Sequence, residues 1–232
     1  MAIDSAKVKD FWDAQGRKVK YLSTDGIANL EEDPELLKLK VKKETEKIFS
    51  RIRLRKEMNL LDLGAGGCQW SLRFAPYVAK VWAVEYSAEM LAIARAQIRE
   101  KEISNIVLIH QNAQGFTADI KFDIVFISGL LIYLNDNDLQ ELLTNLEDHT
   151  HPGTLIVLRD GTGLLGRYEI NNRFSENLHA YYSAIYRTRE TYIEHFLNHG
   201  FALISDEDMF EEGSPLNKWN ETRLRLYLFR KN

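Results

Sequence analysis

A glycine-rich turn between two apolar runs constrains this sequence more than any other feature. The run from Leu60 ends in glycines at Gly67, and a second run, Val81–Val84, ends at the acidic Glu85. A short strand, a glycine turn and a helix let backbone N–H groups approach a small ligand closely. An acidic residue about twenty positions further on has the spacing at which a doubly wound fold presents a carboxylate to ribose hydroxyls. The pattern predicts a site for a nucleoside-containing cofactor.

Short apolar runs alternate with helical patterns through the middle of the chain. This alternation indicates parallel strands joined by right-handed crossovers, and so an α/β fold. Ser87 is a natural cap for the helix after the second strand, and Gly200 is a natural end for the last helix. We predict strands at Met58–Leu63, Lys80–Glu85, Asn105–His110, Phe122–Ser128, Thr154–Arg159, Phe201–Asp208 and Arg223–Phe229, and helices at Gln69–Tyr77, Ala88–Lys101, Asp136–His149 and Arg189–His199.

The segments on either side of the first five strands follow other patterns. Residues 1–52 read as helical, with a break at Asp25-Gly26 and a helix start at Asp33-Pro34. They predict either a lid over the cofactor or a plain packing helix. Residues 160–188 carry glycines and then many aromatic residues, which predicts an irregular insertion on the substrate side. We treat residues 1–232 as a single domain.

Composition narrows the functional class. A net charge of −4 with mixed signs argues against a generic nucleic-acid binder. The single cysteine, Cys68, excludes an intramolecular disulfide, and we find no metal-ligand spacing. No signal peptide and no apolar stretch of membrane-spanning length is evident. We expect a soluble, cytoplasmic protein without a metal or a membrane partner, and its oligomeric state cannot be read from the sequence.

Several motifs together resemble the class I S-adenosylmethionine (SAM)-dependent methyltransferase family over roughly residues 57–229. The first is the glycine turn, the second runs through Glu85, the third is Gln111-Asn112-Ala113, and the others are Phe122–Ser128 and the turn His151–Leu155. The resemblance implies a Rossmann-like, doubly wound, seven-stranded and mostly parallel sheet whose last strand runs antiparallel. It also implies which residues bind SAM. Asp62, Gly64, Ala65 and Gly66 would contact its methionine part, Glu85 its ribose, and Tyr86 and Met90 the adenosine. Asn112 and Ala113 would contact the adenine, and Ser128, Gly129 and Tyr133 would border the reacting end.

Two positions depart from the family pattern. Cys68 stands where the family commonly has a third glycine, which predicts a slightly wider loop or a different helix packing. Asn112 replaces an aspartate but keeps hydrogen-bonding capacity toward an adenine edge. An NAD-dependent oxidoreductase is the main rival because it shares the glycine turn and the ribose acid. A non-catalytic cofactor-binding regulator is a second rival.

Catalytic and lid residues are chosen from the expected topology. Ligands of parallel α/β sheets bind beyond the carboxyl ends of the strands, which favours residues after the fifth strand. We predict His179 as the first candidate for a general base, where the reaction needs one, and Asp160 as the second. Tyr21 is the first candidate for an aromatic face over the sulfonium and Trp12 the second.

The acceptor is predicted only by class. The arginines of the 159–189 region could hold a phosphate or carboxylate, or could form surface ion pairs. A short segment, Tyr182–Thr188, is similar to methyltransferases associated with sugar or polysaccharide modification. These features favour a small polar molecule as the methyl acceptor, with a sugar or a phosphorylated metabolite as candidates. A protein N-methyltransferase and an RNA methyltransferase are the alternatives.

Overall fold

The computed structural model describes residues 2–18, 33–176 and 178–232. Its main sheet has seven strands in the order β3-β2-β1-β4-β5-β9-β8. The strands β1 to β5 pair in parallel, and β9 runs antiparallel to both β5 and β8. The α/β class, the sheet size and the antiparallel last strand are therefore confirmed. The strands are β1 Asn59–Leu63, β2 Lys80–Glu85, β3 Ile106–His110, β4 Phe122–Ser128, β5 Thr150–Gly163, β6 Tyr168–Ser175, β7 Ala180–Tyr186, β8 Phe201–Asp208 and β9 Thr222–Lys231.

Helices cover both faces of this sheet. Their starts follow local capping chemistry: the Asp33 side chain accepts from the backbone N–H groups of Glu35 and Leu36, and the Ser87 hydroxyl accepts from that of Met90. The α-helices are α1 Ser5–Lys18, α2 Pro34–Arg51, α3 Gln69–Phe74, α4 Ala88–Glu100, α5 Asp136–Asp148 and α6 Arg189–Asn198, with 3₁₀ turns η1 Ala75–Tyr77 and η2 Leu131–Tyr133.

Residues 160–188 differ from the predicted irregular insertion. The strand β5 continues to Gly163, and β6 and β7 then form an antiparallel hairpin. The alternation of inward and outward side chains expected of a strand is interrupted in β6. The pairing register with β7 shifts between Ile170 and Arg173, and Asn172 there has φ +49°. The aromatic residues that suggested a loose insertion are strand residues of this hairpin. The proposed break at Asp25-Gly26 lies outside the described residues.

Two apolar clusters, one on each face of the sheet, make up most of the core. One cluster packs α5 and α6 on the sheet, and includes Leu142, Phe196 and Phe229. The other packs α2 and α3 on the opposite face, and includes Ile48 and Phe126. None of the helices in the described ranges is long and apolar enough to cross a membrane. The two clusters leave the carboxyl ends of β1, β2, β4 and β5 free to carry polar side chains.

Candidate functional site

A cavity of about 380 Å³ opens at the carboxyl ends of the central parallel strands. Its walls come from the loops after β1, β2, β3 and β4, from the end of β5, and from α1 and α2. We call this cavity the cleft. Ligands of open parallel sheets bind at this position, and the volume falls within the range of small-molecule sites.

The turn after β1 is held against β2 by backbone hydrogen bonds. The N–H groups of Gly64 and Ala65 both donate to the carbonyl of Val84, at 2.9 and 3.0 Å. Gly66 has φ +54°, and a Cβ placed there would have no neighbour within 4 Å. Cys68 takes the left-handed conformation as well, with φ +65°, which is a backbone conformation that glycine adopts most readily. The turn thus presents bare backbone to open space.

The carboxylate of Glu85 closes the other side of this turn. One oxygen accepts from the N–H of Gly66 at 2.9 Å, and the other accepts from the N–H of Ser87 at 2.7 Å. Glu85 lines the cleft although only 6% of it is exposed. Burial raises its pKa, against the lowering effect of those backbone hydrogen bonds. A carboxylate oxygen has two lone pairs, so each can accept a further hydrogen bond from a ligand hydroxyl.

Asp62, near the carboxyl end of β1, is more deeply buried than Glu85. Its Oδ2 accepts from the Ser71 hydroxyl at 2.5 Å, and its side chain lines the cleft while the residue is only 2% exposed. Burial raises the pKa of Asp62 to about 7, with the Glu85 charge adding to the rise and the Ser71 hydrogen bond opposing it. An unfolded aspartate titrates near 4, so the folded chain binds the extra proton between those values.

Asp62→Asn is expected to change how stability depends on pH. A raised native pKa makes folding stability fall as pH rises from about 4 to about 7. The asparagine variant should match the wild type near pH 4 and exceed its stability at pH 8 by about 1–3 kcal/mol. Urea unfolding of both proteins at pH 4, 6 and 8 measures this, with the exposed Glu46→Gln as control. Equal slopes for wild type and Asp62→Asn would contradict the expectation.

The remaining cofactor-side predictions fall on the walls of the cleft, with one exception. Tyr21 lies outside the described residues, so its prediction stays as made. Asn112 lies in the wall with its side-chain oxygen accepting from the N–H of Gly115 at 2.8 Å. A Cβ placed at Gly129 would have no neighbour within 4 Å, so this glycine also borders open space. The predicted residues that line the cleft are Asp62, Gly64, Ala65, Gly66, Glu85, Tyr86, Met90, Asn112, Ala113, Ser128, Gly129 and Tyr133.

The helix α1 forms part of the cleft wall, and its interpretation as a lid stays a prediction. Trp12, the second aromatic candidate in the sequence, lines the cleft and packs edge-on against Tyr133 with ring centroids 5.4 Å apart. Asp13 accepts a hydrogen bond from the Ser87 hydroxyl at 2.5 Å, which ties α1 to the cap of α4. At the start of the helix, the N–H of Ile3 donates to the Asn135 side chain at 2.8 Å. Both ends of α1 are therefore anchored.

Asp13→Ala is expected to speed release of the bound cofactor about fivefold. The substitution removes one net hydrogen bond, worth about 1 kcal/mol, from the docked position of α1. Burial raises the pKa of Asp13, but hydrogen bonds from Lys9 and Ser87 outweigh it and lower the pKa overall. The tie should therefore be lost only on acidification below the ordinary aspartate range. Stopped-flow displacement measures the release rate, and the exposed Asp10→Ala should leave it unchanged.

The structure does not support either general-base candidate. His179 is exposed in the turn between β6 and β7, with φ +44°, and is not among the described residues that line the cleft. Asp160 points to the opposite face of β5 and is fully buried, with its oxygens accepting from the N–H groups of Leu131 and Gly161. Burial raises the pKa of Asp160 to about 6. Its contacts hold η2, and through it the backbone of Tyr133.

The arginines of the 159–189 region do not converge on the cleft as a group. Arg167 and Arg187 bind Asp136, and Arg189 binds Asp206. The pairs of Arg167 and Arg189 match the alternative of surface ion pairs, whereas Arg187 is fully buried, which neither interpretation predicted. Only Arg159 of this group is among the described residues of the cleft wall. The hairpin aromatics also divide, since Tyr182 is buried against Tyr133 while Tyr181 is exposed.

Sequence reasoning missed several polar and aromatic residues of the cleft. Glu44 comes from α2, and its partner Arg159 comes from the end of β5, 115 positions along the chain. The sequence signals these two residues only by a positive charge at the end of an apolar strand, for Arg159, and a negative charge on the apolar face of a helix, for Glu44. Within the described residues, no group of three His, Cys, Asp or Glu side chains could hold a metal ion. Among the missed residues that line the cleft are Ser5, Val8, Lys9, Val41, Glu44, Gln69, Trp70, Arg73, Gln114 and Leu134, whereas Arg159 was one of the predicted arginines.

Comparison with known proteins points to one family. A family model described as a methyltransferase domain matches residues 60–153. The demethylmenaquinone methyltransferase of Listeria welshimeri is 34% identical over 129 residues, which are 53% of this chain and 52% of that protein. This chain therefore matches about half the length of such curated relatives.

Solved structures share the fold over nearly the whole chain. A SAM-dependent methyltransferase of Leishmania major has a TM-score of 0.71 at 15% identity, over 97% of this chain and 82% of that one. The DhpI–SAH complex has a TM-score of 0.68 at 16% identity, over 97% of this chain and 95% of that one. The ordered motifs and the glycine turn closed by Glu85 thus lie in a methyltransferase domain that matches over residues 60–153, within a fold shared with SAM-dependent methyltransferases.

Proposed function

We propose that the protein transfers a methyl group from SAM to a small-molecule acceptor held in the cleft. The observation that carries the proposal is the position of Glu85, a buried carboxylate at the end of β2 that lines the cleft and accepts from the N–H of Gly66 in the glycine turn. Glu85 would accept from the ribose hydroxyls, and the bare backbone at Gly66 would lie against the rest of the nucleoside. Bound SAM supplies an electrophilic methyl group on a sulfonium, so the chain itself has to bind, orient and exclude water.

The other predicted contacts complete this assignment. Tyr86 and Met90 would flank the adenosine, and Asn112 with Ala113 would meet the adenine edge. Ser128, Gly129 and Tyr133 would border the reacting end, where the edge of Trp12 also closes the wall. The helix α1 would cover this end and exclude water once the ligands are in place.

The charge of the cleft favours a small acceptor over RNA. Among the described residues, three cations line it, Lys9, Arg73 and Arg159, and three acidic side chains match them, Glu44, Asp62 and Glu85. A continuous basic track, which RNA binding needs, is not present among the described residues of the wall. A protein substrate would need a groove long enough for a peptide, whereas the cleft is bounded by α1 and has a volume of about 380 Å³.

Within the small molecules, the contacts give less support to a phosphorylated metabolite or sugar than to a ring acceptor. Three of the arginines that could bind a phosphate, Arg167, Arg187 and Arg189, are paired with carboxylates outside the cleft, and Arg159 is paired with Glu44 within it. The curated relatives are named for demethylmenaquinone, a quinone-type acceptor. The aromatic walls of Trp12, Trp70 and Tyr133 suit a flat ring.

Two measurements test the proposal. Calorimetry with SAM, SAH and NAD should show binding of the first two and none of the third. Methyl-labelled SAM incubated with the protein and separated extract fractions of small molecules, protein and RNA should label the small molecules. Tight NAD binding without SAM binding would favour the oxidoreductase. SAM binding without transfer to any fraction would favour a cofactor-binding regulator, and label in protein or RNA alone would overturn the small acceptor.

A further inference from the structure

A buried ion pair forms part of the cleft wall away from the glycine turn. The Arg159 guanidinium donates to Glu44 Oε1 at 2.5 Å and to the Ser128 hydroxyl at 3.0 Å. Glu44 is only 2% exposed and Arg159 only 7%, yet both line the cleft. Ser128 and Arg159 are register partners at the ends of β4 and β5. The pair therefore stands beside the strand end that the cofactor assignment places at the reacting methyl group.

Folding alone gives little reason for this pair. The residues beneath it on the same face of the sheet, Phe126 and Val157, belong to the apolar cluster of α2 and α3. Burying two charges costs desolvation that their attraction often fails to recover, so apolar side chains would serve stability as well or better. The Nε atom of Arg159 is buried without a hydrogen-bond partner. An incompletely satisfied charged pair on a cavity wall is typical of a ligand-binding site.

The surroundings of the pair suit a flat, mostly apolar molecule. Val41 lies one helical turn from Glu44 and lines the cleft. Trp70 lines it from α3 and packs on Phe126, with ring centroids 5.1 Å apart. This part of the wall therefore combines aromatic and aliphatic surface with one fixed cation and one fixed carboxylate.

We infer that Glu44 and Arg159 bind the methyl acceptor, and that the acceptor is a ring hydroxyl such as a phenol or hydroquinone. The inference rests on the proposed function. A hydroxyl both donates and accepts, so it can donate to Glu44 and accept from Arg159 at once. A protonated amine would be repelled by the guanidinium and offers that guanidinium no acceptor. No hydrogen bond to a described residue uses the second carboxylate oxygen of Glu44, which is the atom assigned to the acceptor.

The reaction at this pair balances without a further reactant. The acceptor oxygen forms a bond to the methyl carbon, the carbon–sulfur bond breaks, and its electron pair remains on sulfur to give SAH. The hydroxyl proton passes to the Glu44 carboxylate and from there to solvent when the cleft opens. Glu44 acts as the general base, and Arg159 orients both the base and the acceptor oxygen.

The test compares variants that keep the cofactor side intact. Naphthol and phenol are offered to the protein with methyl-labelled SAM, and the matched amines are naphthylmethylamine and benzylamine, which are protonated at neutral pH. Glu44→Gln should lower kcat/KM for the hydroxyl compounds at least 100-fold and leave SAH affinity within about twofold. Arg159→Lys should mainly raise KM for the same compounds. Glu207→Gln, which alters a glutamate–arginine pair between β8 and α2 outside the cleft, should change neither quantity.

The other outcomes separate this inference from the proposed function. Wild-type protein that binds no SAM or SAH contradicts both. The inference alone is contradicted if the protein binds SAM but neither binds nor methylates either hydroxyl compound. It is also contradicted if methyl transfer to the amines occurs and Glu44→Gln does not change its rate. Loss of SAH affinity in both Glu44→Gln and Arg159→Lys would assign the pair to the cofactor and also overturn the inference. Should Glu44→Gln not fold, Arg159→Lys gives the same comparison.

Discussion

Replacing Glu85 with glutamine is expected to weaken SAM binding roughly 10- to 100-fold. The ribose hydroxyls would lose a hydrogen bond to a charged group, worth about 1.5–3 kcal/mol, and each 1.4 kcal/mol is tenfold in affinity. The amide also places an NH₂ group against one of the two backbone donors, at Gly66 or Ser87, that the carboxylate now satisfies. The same change therefore loosens the turn that the cofactor rests on.

Glu85→Ala should reduce both cofactor affinity and stability. It leaves the N–H groups of Gly66 and Ser87 without acceptors in a buried place, and each unsatisfied donor costs about 1–3 kcal/mol. The loss of a desolvated charge offsets part of this cost. We therefore expect a lower urea midpoint for the alanine variant and a smaller decrease for the glutamine variant, which still satisfies one of the two donors.

Calorimetry with SAM and SAH, together with urea unfolding, measures both effects. Glu89→Gln is the matched control, because Glu89 lies in the first turn of the neighbouring helix α4 and forms a long, exposed ion pair with Arg17 at 3.7 Å. It should leave affinity and stability unchanged. Wild-type SAM affinity in Glu85→Gln would remove Glu85 from the ribose site.

The cofactor side of the cleft could be predicted from the sequence because its parts are local. The turn at Gly64–Gly67, the cap at Ser87 and the acid at Glu85 all lie within about thirty residues, and each has a short sequence signature. The bounds of β2 and β4 also matched, since polar residues end both apolar runs. Local chemistry fixes these elements, and local patterns reveal them.

The acceptor side could not be predicted in the same way. Glu44 and Arg159 meet only because α2 packs on the sheet beside β5, a contact that no local pattern records. His179 was chosen because it lies after the fifth strand, but the hairpin carries it to an exposed turn. Pairing between distant elements depends on packing, and one sequence shows only the charges and not their partners.

Arg187 is expected to be among the most important residues for stability, although it lies outside the cleft. It is fully buried at the end of β7, and its guanidinium donates to the Asp136 carboxylate and to the carbonyls of Leu131 and Leu134. Removing the guanidinium leaves the carbonyls of Leu131 and Leu134 without its hydrogen bonds, and each buried acceptor left unpaired costs about 1–3 kcal/mol. Asp136 is 49% exposed and keeps its pair with Arg167, so its loss adds little. Arg187→Met should therefore lose on the order of 4 kcal/mol, a large part of the stability of a typical domain.

Urea unfolding of a graded set checks this. Arg187→Lys keeps the charge but not the planar set of donors, so it should fall between Arg187→Met and the wild type and remain measurable if the methionine variant does not fold. Arg189→Ala is the control, because its side chain is 43% exposed and its pair with Asp206 should contribute at most about 1 kcal/mol. Equal decreases in the free energy of unfolding for Arg187→Lys and Arg189→Ala would show that Arg187 stabilises the fold no more than an exposed arginine does.

The pH dependence gives an independent measure of the same contact. Burial raises the pKa of Asp136, but hydrogen bonds from Arg167 and Arg187 outweigh it and lower the pKa overall. The stabilisation is therefore present above the ordinary aspartate range and is lost as pH falls through the lowered native pKa. Arg187→Lys should weaken this acid dependence. Arg187 binds the carbonyls at both ends of the η2 turn, which carries Tyr133. Although its sequence context suggested a phosphate ligand, Arg187 therefore fixes the wall against which the acceptor is proposed to bind.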